Sequence, residues 1–179
     1  MRKYKDKAEP LEIFSVKDLL PVVADFSFAP MYRGLSDKSY SLVPSIARDD
    51  PDYNGYFKRD EPFTPEIEKE FIHRFKRRAY IHYGRYLNDW EALFLARHHG
   101  LPVRLLDWTT SPLVALYFAC IQNNGKDGAI WVFKNNAKNE NYIDVFKEAD
   151  PFSVDGIRII FPFYNDHRLI AQSSVFTIH

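Results

Sequence analysis

The segment that most restricts how this chain can fold runs through residues 98–119, His98-His99-Gly100-Leu101-Pro102-Val103-Arg104-Leu105-Leu106-Asp107-Trp108-Thr109-Thr110-Ser111-Pro112-Leu113-Val114-Ala115-Leu116-Tyr117-Phe118-Ala119. Apolar stretches of this length form core, and polar groups inside a core must be hydrogen-bonded to be tolerated. Two histidines, an arginine, an aspartate, a tryptophan and three hydroxyls interrupt this one. They either hold a buried network together or line a pocket, and the residues alone leave both readings open.

Helix signals come first along the chain. Ser15-Val16-Lys17-Asp18 has the form of a helix start, with Asp18 near the positive dipole end. An extended segment over residues 28–33 stops at Gly34, and residues 49–63 carry Pro51, Gly55 and Pro62 among charges, which marks a surface loop. Thr64-Pro65 is a cap followed by a first-turn proline. Ile67, Phe71, Phe75 and Ala79 recur every four residues after it, predicting an amphipathic helix with Arg74, Lys76, Arg77 and Arg78 on a solvated outer face.

A second helix is expected from Asn88 or Asp89 to Gly100, and a third from Ser111-Pro112 to about Gln122. Later runs at 129–133, 157–161 and 174–178 are β-branched and aromatic and read as strands. Helices first and strands later predict an α+β domain, helix-rich in its N-terminal two-thirds, packed on a small and mainly antiparallel sheet.

At 179 residues the simplest organisation is one domain. Twenty-four basic and 24 acidic residues cancel, so no overall field draws the chain to nucleic acid or to a membrane. No apolar run approaches the ~20 residues of a membrane span, and no signal-peptide core follows the charged start. A cytoplasmic protein is the expectation. The single cysteine, Cys120, excludes an internal disulfide and reads as an inert buried thiol. Adjacent His98 and His99 point apart, so they cannot form a paired metal face, and no metal is expected.

Three polar spots carry the candidate chemistry. Tyr32-Arg33-Gly34 ends a strand in a planar guanidinium suited to phosphate or carboxylate, beside a glycine that permits close approach. Thr109, Thr110 and Ser111 precede a helix N-terminus that would attract an anion, one of them being needed as its cap. Arg104 and Asp107 are close enough in sequence to pair as a structural bridge. Gln172 lies just ahead of the last apolar strand, where its side chain can point into a cleft or simply decorate a loop.

Taken together, Tyr32-Arg33-Gly34-Leu35-Ser36, Leu42-Val43-Pro44-Ser45-Ile46 with Arg48, the block from Ala96 to Ala119, and Arg168 to Phe176 resemble the FRG-domain family. The resemblance implies a core over residues 28–178 after an extension of about 1–27, with a C-terminus cut shorter than in many members. Val103 stands where the family pattern would have threonine, and Arg97 where glutamine is common. The family resemblance also implies a bacterial, phage-defence setting.

A second, weaker resemblance is to ADP-ribosyltransferases of the arginine–serine–glutamate type. It implies NAD as substrate or ligand, with an ADP-ribosyltransferase-like or NAD-hydrolysing activity. Arg33 would hold phosphate, Gln172 would stand at the glutamate position, and Asp107 or Glu91 would be a substitute acid. Tyr32, Gly34, His98, Arg104, Trp108, Thr109, Thr110 and Ser111 would bind the cofactor. The alternative implied by the same fold is a non-catalytic module that recognises a nucleotide or a protein partner.

Overall fold

In a computed structural model of the chain, the residues described are 10–24, 30–48, 64–122, 125–133, 142–148, 150–163 and 167–179. The loop expected over 49–63 lies outside them. The longer helices start where their cap chemistry directs. Ser15 and Asp18 form a reciprocal capping box at a short 3-10 turn, Val16–Leu19, which runs into α1 (Leu20–Val23). The Thr64 hydroxyl accepts the Ile67 N–H at 3.4 Å to open α2 (Pro65–Tyr83), with proline in the first turn. Gly84, at φ 65°, supplies the left-handed residue that ends it.

Asn88 and Glu91 cap α3 (Asp89–His98) reciprocally, at 2.8 and 2.9 Å. At its far end Gly100 takes φ 77°, and the Leu101 N–H reaches back to the Ala96 carbonyl at 2.9 Å. Ser111 caps α4 (Pro112–Cys120) through the Val114 N–H.

The strands are β1 (Met31–Leu35), β2 (Leu105–Thr109), β3 (Ala129–Phe133), β4 (Tyr142–Ile143), β5 (Arg158–Ile160) and β6 (Ser174–Ile178), with α5 (His167–Ala171) before the last. Their order is β3-β1-β2-β6-β5-β4, and the fold class is α+β. The chain divides into two compact units.

One unit comprises Met1–Leu42, Trp108–Glu140 and Asp166–Val175. In it β1 runs antiparallel to β3, with Arg33 opposite Trp131, and antiparallel to the end of β2, with Tyr32 opposite Thr109. The α4 helix packs on β1 over Gly34.

The other unit comprises Val43–Asp107, Asn141–Asn165 and Phe176–His179. There β5 pairs parallel with β4 and antiparallel with β6. The core of this unit is the inner face of α3, where Trp90 and Ala92 through Ala96 are buried. Phe94 stacks on Trp90 at 6.0 Å and on Phe176 at 5.4 Å, and the Trp90 indole N–H donates to the Glu148 carbonyl at 2.7 Å.

Two sequence expectations are corrected. The inward stripe of α2 includes Ala79, as the repeat expects, but its first turns bury Glu68 and Ile72, each one residue beyond Ile67 and Phe71, which leaves Phe71 and Phe75 half-buried on its flank. Cys120 is exposed rather than buried, because α4 turns only Ala115 fully inward. Strand β2 was hidden in sequence because Leu105-Leu106-Asp107-Trp108-Thr109 shows no clean two-residue alternation.

Candidate functional site

The unit that carries Arg33 is assembled around a close approach of helix to strand. A Cβ built on Gly34 would lie 1.8 Å from the Ala115 carbonyl oxygen and 2.8 Å from the Ala119 nitrogen. Only a residue without a side chain lets α4 sit this near β1. Because side chains alternate along a strand, Tyr32 and Gly34 face α4, whereas Met31, Arg33 and Leu35 face the other way. Tyr32 is buried there, and burial raises its phenol pKa.

Trp131 shares the Arg33 face, being directly opposite it in register. So does Trp108, whose ring meets Phe133 edge-on at 5.7 Å, since Phe133 is the partner of Met31. Arg33 therefore lies in an aromatic neighbourhood contributed by β2 and β3. Sequence reasoning named Trp108 and missed Trp131. Its signal was the two-residue period that puts Trp131 and Phe133 on one side of β3. The buried indole N–H of Trp131 has no acceptor among the described residues, an arrangement that costs about 1–3 kcal/mol unfilled.

The second and third predicted segments meet one another here. The Thr109 hydroxyl donates to the Gln172 carbonyl at 2.6 Å and accepts the Ser111 N–H at 3.0 Å. The Thr110 N–H donates to the Ser173 carbonyl at 3.1 Å. Ser173 adopts φ 46°, the left-handed region, as the chain turns into β6. Since Thr109 is also opposite Tyr32, the segments around residues 32, 109 and 172 are neighbours in one unit. Thr109 uses its hydroxyl to build this junction, and Ser111 uses its own to cap α4. Thr110 is exposed, and Gln172 is half-buried.

His98, Arg104 and Asp107 belong to the other unit, where each has structural company. The expected Arg104–Asp107 bridge is not formed. Arg104 pairs instead with Glu68 of α2, which accepts both its backbone N–H, at 2.8 Å, and its Nε. Burial lifts the Glu68 pKa against the opposing pull of Arg104. Asp107 takes a forked contact from Arg97, whose Nε lies 3.0 Å from Oδ2.

Ser45 ties the same network together, accepting the Val103 N–H and an Arg97 Nη1 contact, each at 3.3 Å. The two positions that depart from the family pattern, Arg97 and Val103, are thus joined through one serine. Glu91, the other substitute acid, is engaged by Arg85 at 2.6 and 2.9 Å, and that bond lowers its pKa. His98 stands edge-on to His99 at 5.4 Å, and no metal-binding cluster of His, Cys, Asp or Glu occurs among the described residues. The Arg168 side chain lies outside the described atoms.

No curated protein and no solved structure matches the chain. A protein-family model does, over residues 29–128, and its description is the FRG domain. That span takes in β1 with its Tyr-Arg-Gly, the Ser45–Arg97–Asp107 network, the Thr109 junction and α4. With more than half its length matched, the chain belongs to the FRG-domain family.

Proposed function

We propose that the unit built on β1 binds a dinucleotide of the NAD type at the junction of β1, the end of β2 and the start of β6. The observation that carries this reading is the Thr109 hydroxyl, 2.6 Å from the Gln172 carbonyl and on a residue paired with Tyr32. It brings into one neighbourhood three segments that an ADP-ribosyltransferase-like site requires together and that lie far apart in sequence. Arg33 supplies a planar fork for the pyrophosphate. Thr110 presents an exposed hydroxyl, and Trp131 offers an indole N–H and ring beside Arg33. Gln172 hydrogen-bonds a ribose hydroxyl.

The amide at residue 172 sets the chemistry. Cleaving the nicotinamide bond builds positive charge on the ribose, and a neutral amide stabilises that charge far less than a carboxylate. Asp107 and Glu91 are each held by an arginine. The domain therefore binds NAD more readily than it turns it over.

Calorimetric titration with NAD, with nicotinamide release followed in the same sample, tests this. The parent binds with slow release, and Arg33→Ala and Gln172→Ala weaken binding. A parent that gives no saturable heat removes the reading.

The second reading, a protein-interaction module, is favoured by Leu113 and Tyr117 of α4 and by Ile121 just after it, which recur at helical spacing and are each more than half exposed. It predicts silence in the same titration.

A further inference from the structure

The outer face of α2 was expected to be ordinary solvated surface, because basic residues there lacked aromatic company in the helical repeat. The folded chain supplies that company at the C-terminal end of the helix. Arg74, Arg77, Arg78 and Ile81 fall on one outward stripe by helical spacing, and Ile81 is 82 % exposed. Tyr80 sits one turn from Arg77 and is exposed. Beyond Gly84 the chain turns back and lays Tyr86, itself 76 % exposed, against Tyr80 with ring centroids 5.0 Å apart. Tyr83, at the last helical position, adds a third exposed ring.

The neighbouring cations differ in a way that matters. Arg74 is matched by Glu70, Arg85 by Glu91, and Lys76 by Asp89 at 2.8 Å. Arg77 and Arg78 are exposed and have no ion-pair partner among the described residues. Arg77 is one turn from Tyr80, and Arg78 is the next residue round the helix. Together with a contacting pair of solvent-facing rings at the same end of α2, these guanidinium groups, unmatched among the described residues, have the composition of a site that holds phosphate and stacks bases.

We propose that the C-terminal half of α2 and the turn to Tyr86 form a binding surface for single-stranded nucleic acid. Arg77 and Arg78 take adjacent phosphates, and the Tyr80–Tyr86 pair takes one or two bases. Single strands suit this surface better than a duplex, because stacked duplex bases offer no free face to a tyrosine ring. The surface lies wholly in the unit that does not contain Arg33, so it stands independently of the NAD reading.

The test is fluorescence anisotropy of the whole protein with a labelled oligothymidylate of about 12 nucleotides. Duplex DNA of equal length and a polyglutamate peptide serve as competitors. The expected dissociation constant lies at about 10⁻⁶ to 10⁻⁴ M, with a log–log salt slope near about −1.4 for two phosphates. Replacing Arg77 and Arg78 together by glutamate abolishes binding, and Tyr86→Ala, at an exposed position that leaves the fold intact, weakens it about tenfold. Circular dichroism confirms that both variants are folded. Absence of saturable binding, equal binding by the Tyr86 variant, or displacement by polyglutamate as efficient as by unlabelled single strand would each overturn the proposal.

Discussion

Removing one half of the Glu68–Arg104 pair should be among the most damaging single changes this chain can suffer, whereas removing both halves should be mild. Glu68 is fully buried on α2, and Arg104 is 4 % exposed. The carboxylate accepts the Arg104 backbone N–H and its Nε, and the guanidinium also lies 5.7 Å from the centre of the Phe152 ring. One arginine nitrogen, Nη2, already has no hydrogen-bond partner among the described residues. Glu68→Leu would leave a buried guanidinium with no counter-charge, at about 3–5 kcal/mol. That is a large part of the ~5–15 kcal/mol by which a domain is stable.

Replacing both, Glu68→Leu with Arg104→Met, removes the charge problem along with the pair. What remains is the Arg104 backbone N–H that loses its acceptor, about 1–3 kcal/mol, set against better apolar packing. The double variant should therefore be more stable than Glu68→Leu alone. Urea unfolding of the parent, both singles and the double gives the comparison, with slopes checked for constancy before midpoints are converted. Strict additivity of the two losses would refute the idea that an uncompensated charge, rather than lost packing, is what costs.

Gly34→Ala should cost at the upper end of about 1–3 kcal/mol, because its methyl would meet the Ala115 carbonyl and α4 would have to move; thermal unfolding reads it. Gln172→Glu should raise nicotinamide release by about 10²-fold with little gain in NAD affinity, read by a release assay with saturating NAD. His179 is held by burial at a pKa of about 4, below its ordinary 6.5. The unfolded chain therefore takes up a proton first. Stability from this group is present above 6.5 and falls as pH drops towards 4, by about 1–2 kcal/mol given its partial exposure. Unfolding followed across that range should lose this component in His179→Asn.

Local chemistry was legible in the sequence where one or two residues decide it. Thr64-Pro65, Asn88 with Glu91, Ser111-Pro112 and Gly100 each act within a single turn, and the helices begin or end beside them. Partners across the fold were not legible. Arg104 lies three residues from Asp107 and 36 from Glu68, yet it pairs with Glu68. Arg104 stands immediately before β2, and its backbone N–H and Nε both turn to Glu68, so closeness in sequence to Asp107 did not decide the partner. Trp131 was missed for a different reason: it lies on β3, and the register of β3 with β1, not sequence distance, decides what stands beside Arg33.

That same register assigns different work to the three residues of the Tyr-Arg-Gly motif. Tyr32 fills the core under α4 and faces Thr109, and Gly34 gives α4 the room to come down. Arg33 alone points away from the helix, towards the face of Trp108 and Trp131. A pattern of three adjacent residues is thus tied to helix packing at its two ends while its middle residue faces away from the helix, where the proposed ligand would lie. Substitutions separate the two. Changes at Gly34 should show first in stability, and any loss of ligand there should follow the displaced helix. Changes at Arg33, whose side chain leaves β1 on the face away from α4, should act on the ligand more than on the melting temperature. Were Arg33→Ala to unfold the domain as Gly34→Ala does, the arginine would be one more piece of the packing, and the dinucleotide site would lose the residue on which it rests.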